Sequence, residues 1–202
     1  MGTQKHPEAI HYFLQASDLH PTDPRPYACL AIASSTSGDE IAATSAAFKR
    51  FHDLAPSSAE ANYYYALSLW GHGAQRSTDD MRSIETSLLK AIQLNPQFAQ
   101  AHFKLAILYT DSGDYEHAIP EYEAALRSAP SLTDARYRLA IAYSHVGRTE
   151  EAAKAMQLFK DSRAKSASKS SGEEVSIEQF ISVFDQPERG SVPNWQCPVI
   201  SR

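Results

Sequence analysis

Two cysteines, Cys29 and Cys197, occur in 202 residues, and neither has a neighbour at zinc-ligand spacing. A disulfide between them stays open, but nothing in their spacing supports one. No apolar run is long enough to span a membrane, and no signal-peptide core follows the polar stretch Met1 to His6. Membrane insertion is therefore not expected, and a cytoplasmic location is the default. Positive charge is also short: 19 Lys and Arg stand against 24 Asp and Glu, a net charge of -5. A protein that tracks a nucleic-acid backbone carries a basic stripe, so no nucleic-acid partner is expected.

Catalytic motifs are missing too. Gly71-His72-Gly73 lacks the Gly, Lys and Ser/Thr that complete a phosphate loop, and reads as a plain loop. No Gly-x-Ser-x-Gly elbow occurs. Of the eight histidines, no two lie four apart on one helix, and His102, His117 and His145 fall in three different elements. Metal ligand sets need tighter convergence, so neither metal nor cofactor is expected. Asp111, Asp114 and Glu116 read as turn and cap residues because a calcium loop needs more ligands at set spacing. Glu150-Glu151 suits a helix N-terminus. The reading is of a chain that is not an enzyme.

What is present is a repeat. Leu105, Ala106, Tyr109, Gly113, Ala118 and Pro130 answer, 34 residues apart, to Leu139, Ala140, Tyr143, Gly147, Ala152 and Pro96. In the clearest unit, Ala101, Leu105, Ala106, Leu108 and Tyr109 form one helical stripe, and Ala118, Tyr122, Ala125 and Leu126 form a second. Gly113 suits the left-handed end of the first helix and Asp114 the cap of the next. Pro120 falls inside the second helix, where it removes a backbone hydrogen bond and favours a kink. A period of this length marks stacked helix pairs, none of which buries its apolar face alone. The units read as 24–58, 59–98, 99–132 and 133–163, the second lengthened around residues 71–76. Residues 7–19 read as a lone second helix, consistent with an upstream start or with cover from another chain.

This pattern resembles the tetratricopeptide repeat: Leu and a small residue, then Tyr, Gly, Ala, an aromatic, Ala and Pro, here Leu105-Ala106, Tyr109, Gly113, Ala118, Tyr122, Ala125 and Pro130. The resemblance covers about residues 7–163. The family's early Trp is replaced by Tyr27, Asn62, His102 and Arg136. It implies an all-α, right-handed superhelix of antiparallel helix pairs, about four repeats after a single helix. It also implies that the first helix of each pair lines a concave groove. Carried over by position, the groove residues are Arg25, Tyr63, Tyr64, Leu67, Phe103, Lys104, Ile107, Tyr137, Arg138 and Ile141, with Trp70 beside them. The family's clamp for a terminal carboxylate needs Asn where this chain has Ile32, Leu67, Ile107 and Ile141, so that clamp is not expected. Trp70, Phe103 and Tyr137 fit either the groove or the packing between repeats.

The implied function is a non-catalytic scaffold or adaptor holding a peptide or protein segment with apolar anchors and an acidic residue. Two other readings stay open. One is an accessory region of a larger enzyme, such as a glycosyltransferase carrying such repeats; the other is a structural unit that self-associates through its N-terminal helix. From 164 to 202 the composition changes to a tail, with Ser-rich residues 165–172 and an amphipathic helix near 174–184. Ile177, Phe180, Ile181 and Phe184 give that helix an apolar face that must dock: on the last repeat, in the groove, or on another protein.

Overall fold

The computed structural model describes residues 5–34, 41–70 and 77–169. Those residues form nine helices and no strand: α1 (Lys5–Leu19), α2 (Pro24–Ser34), α3 (Ile41–Leu54), α4 (Ala59–Trp70), α5 (Thr78–Leu94), α6 (Ala99–Asp111), α7 (Tyr115–Ser128), α8 (Thr133–His145) and α9 (Thr149–Lys169). Each packs mainly on its neighbours in sequence, as in a stacked array. The 71–76 insertion, the helix expected near 174–184 and Cys197 lie outside the described residues, but Cys29 is disulfide-bonded, which the cysteine spacing alone did not support.

Local chemistry sets the ends of these helices. Gly113 and Gly147 have φ of 79° and 77°, the left-handed region where a side chain is strained. Behind them, Asp114 N–H reaches Tyr109 O at 2.8 Å and Arg148 N–H reaches Tyr143 O at 2.9 Å, the paired bonds that close a helix C-terminus. Asp114 then caps α7 by accepting from His117 N–H at 3.2 Å. Helix α5 begins with a reciprocal cap between Ser77 and Asp80, at 3.1 and 2.9 Å. Helix α7 runs on through Pro120, whose ring is exposed.

Alanines set the spacing of the helices. Ala61, Ala66, Ala91, Ala101, Ala106, Ala118, Ala125 and Ala135 are fully buried, so the backbones can approach closely. Larger groups fill what remains. Tyr27 stacks on Phe51 with centroids 4.3 Å apart, while Leu30, Ile84, Leu88, Leu105 and Tyr122 are fully buried. Each such side chain contributes about 1.5–3 kcal/mol by leaving water.

The residues standing at the family's Trp position share a role that the sequence did not disclose. Tyr27 Oη donates to Pro21 O at 2.9 Å, and Asn62 Nδ2 donates to Pro56 O at 2.9 Å. His102 Nε2 lies 3.1 Å from Pro96 O. Three different side chains thus tie the start of a repeat to the proline that closes the one before. Arg136 departs from this pattern and donates to Ser162 Oγ on α9 at 3.0 Å.

Candidate partner-binding groove

The residues assigned to the groove divide into three groups. Tyr63 and Tyr64 are buried, 8% and 7% exposed. Tyr64 lies 5.1 Å from Phe48 and Tyr63 lies 5.0 Å from Phe98, centroid to centroid. Burial pushes both phenols far above their ordinary range. In this structure the two tyrosines are mainly core, because α3 and the α5–α6 turn close over them. Arg25 is held locally: its Nε lies 2.9 and 2.8 Å from the two Asp23 carboxylate oxygens, and that contact holds the Asp23 carboxyl below the usual range.

The third group shares one face of α4, α6 and α8. Trp70, at the end of α4, carries the Lys104 ammonium 5.3 Å from its ring centroid. Burial, and then the nearby Arg138, hold the Lys104 ammonium below its usual pKa. Arg138 faces the Tyr122 hydroxyl, whose oxygen lies 3.0 Å from Thr110 Oγ1. Neither Lys104 nor Arg138 enters an ion pair among the described residues. Around them Leu67, Phe103, Ile107 and Ile141 are half-buried. Tyr137 is 44% exposed and leans on Phe159 at 5.2 Å. The arrangement is a partly desolvated pair of cations set among apolar and aromatic groups.

Tyr122 is the contributor that position alone missed. It is fully buried as a ring, yet its hydroxyl reaches the groove helix. The signal available was that a buried tyrosine hydroxyl needs a polar partner. Among the described residues, no group of three or more His, Cys, Asp or Glu could hold a metal ion, and no helix is long and apolar enough to cross a membrane.

Stacked antiparallel helix pairs with a shared face of this kind define an all-α helical-repeat solenoid. The tetratricopeptide repeat family model matches residues 85–132 and 103–167, so that stretch of the chain carries tetratricopeptide repeats. No curated protein matches it at the sequence level. Solved structures that it resembles include MamA, at 24% identity and a TM-score of 0.59, covering 79% of this chain and 89% of that one. Another is TTC0263, a thermophilic tetratricopeptide repeat protein of Thermus thermophilus, at 22% identity and a TM-score of 0.61, covering 81% and 89%. At these identities the likeness establishes the fold. As a tetratricopeptide array, the chain is a protein–protein interaction scaffold, of a family that is generally non-catalytic.

Proposed function

We propose that this chain is a non-catalytic adaptor that holds a peptide or protein segment against the face shared by α4, α6 and α8. The observation that carries the reading is the Trp70–Lys104–Arg138 cluster: two cations without ion-pair partners among the described residues, one of them over an indole face. A partner there gains most from an acidic group flanked by apolar side chains. Phe103, Ile107, Tyr137 and Ile141 supply the apolar contact, with Leu67 at one end. Tyr63 and Tyr64 support the face from beneath.

The test is affinity capture from the source organism's lysate with the full chain and with Phe103→Ser/Tyr137→Ser. Circular dichroism shows whether the variant keeps its helical content. A client held by the first and lost by the second supports the adaptor; a client held equally by both counts against it.

A second reading, self-association through α1, draws on Tyr12 and Leu19, which are 47% and 76% exposed. A mass in solution that stays monomeric at all concentrations excludes it.

A further inference from the structure

Among the described lysines and arginines, Arg25, Lys104, Arg136 and Arg138 are half-buried and the others whose side chains are described are exposed. Arg25 is paired with Asp23, and Arg136 donates to Ser162. Lys104 and Arg138 enter no ion pair among the described residues. A cation drawn partly out of water gains more from a carboxylate than an exposed one, because the attraction is less screened.

These two cations belong to a duplicated unit. Phe103, Lys104 and Ile107 on α6 recur 34 residues on as Tyr137, Arg138 and Ile141 on α8. Each aromatic rests on a ring from the second helix of its own repeat. Phe103 lies 6.1 Å from Tyr122, and Tyr137 lies 5.2 Å from Phe159. Upstream the unit is lost: the same positions hold Tyr63, Tyr64 and Leu67 on α4, where both tyrosines are buried, and Ala28, Cys29 and Ile32 on α2. The face therefore offers two subsites, each cationic and apolar, on consecutive repeats.

Their spacing selects the shape of a ligand. Helix α2 packs directly on α4, and the same stacking sets α8 about 10 Å from α6. Within a subsite, Phe103 and Ile107 are one helical turn apart, with Cβ atoms about 5–6 Å from each other. That is about the width of one extended chain and less than the roughly 10–12 Å of a helix. A chain in the polyproline II conformation returns to the same side every three residues, over about 9 Å. Its period matches the step from α6 to α8.

We infer that the client segment is an extended acidic peptide with a three-residue period, acidic then apolar, in two successive units. One carboxylate meets Lys104 and the other meets Arg138. The apolar side chain beside each lies on Phe103 and Ile107 or on Tyr137 and Ile141. This rests on the adaptor reading and deepens it by naming the chemistry and the conformation of the ligand.

The experiment titrates synthetic peptides, blocked at both ends, against the full chain by fluorescence anisotropy. One probe holds two Glu-Leu-Pro units in succession, and a second has one Glu replaced by Gln. A third is an Ala-rich helical peptide with two Glu seven residues apart. The proteins are the wild type, Lys104→Gln and Arg138→Gln, with circular dichroism to verify folding. The wild type should bind the two-Glu extended peptide about tenfold or more tightly than the one-Glu peptide. Either variant should lose that preference, because a face with one cation cannot use the second carboxylate. The inference is overturned if the two-Glu peptide does not bind, if the wild type binds both extended peptides equally, or if the preference survives in either variant. Tighter binding of the helical peptide also overturns it. No outcome depends on a client. A captured client that is lost by Phe103→Ser/Tyr137→Ser but held undiminished by Lys104→Gln/Arg138→Gln sinks this inference and leaves the adaptor reading standing.

Discussion

His102 Nδ1 lies 2.6 Å from a carboxylate oxygen of Glu121, and this contact binds the two helices of the third repeat. The other ring nitrogen, Nε2, faces Pro96 O. Both neighbours are acceptors, so the doubly protonated imidazolium satisfies both and a neutral ring satisfies one. The Glu121 hydrogen bond raises the His102 pKa, against a smaller opposing effect of burial. Arg127 is the nearby positive charge that opposes it.

This predicts a pH dependence of stability. A pKa raised on folding gives a contribution fully present below the unfolded value of about 6.5. It is lost as pH rises through the higher folded value. Thermal midpoints of wild type and His102→Gln, measured from pH 5 to pH 9, should converge towards alkaline pH. Parallel curves contradict this.

Asn62 serves two carbonyls, Pro56 O at 2.9 Å and Ser58 O at 2.8 Å, from a site 4% exposed. Asn62→Ala removes the tie to Pro56 O, while Ser58 O still accepts from the backbone N–H of residue 62 at 3.2 Å, and the change should cost about 0.5–1.5 kcal/mol. Chemical denaturation with the slope held fixed measures it; a change within error shows that the tie between repeats carries no weight.

Gly113 and Gly147 have open space where a Cβ would stand, so substitution there meets strain and not collision. Each change to Ala should cost about 1–2 kcal/mol. If the effects are small, the turns relax. Denaturant midpoints of the two single variants and the double variant decide this.

Tyr64→Ser removes a ring from an aromatic cluster that includes Tyr27, Phe48 and Phe51. It should cost about 3–5 kcal/mol, as other buried aromatic truncations do. Tyr137→Ser, at a half-exposed site, should cost far less. Comparison of the two melting curves separates core from face; similar losses contradict the assignment.

Much of this was legible in the sequence. Gly113, Gly147 and the prolines mark the punctuation of the helix pairs because left-handed turns and missing N–H groups tolerate few residue types. The Leu105–Ala106 and Leu139–Ala140 pairs mark the buried stripe by period alone. Tyr63 and Tyr64 were misleading as groove residues for a physical reason: position on a helix says which way a side chain leaves the backbone, not what closes over it. Here Phe48 and Phe98, from other elements, bury them. The substitutes for Trp at Tyr27, Asn62 and His102 looked like departures from a pattern, yet each keeps a hydrogen bond that depends on a carbonyl six residues earlier. The Trp70–Lys104 contact joins residues 34 apart and only appears once the repeats are stacked.

The most direct test of the adaptor is calorimetric titration of a captured client with the full chain and with Phe103→Ser/Tyr137→Ser. The predicted result is binding at least about tenfold weaker, a loss of roughly 1.4 kcal/mol, with helical content unchanged. Equal affinity for the two proteins would contradict a client held on the face of α6 and α8.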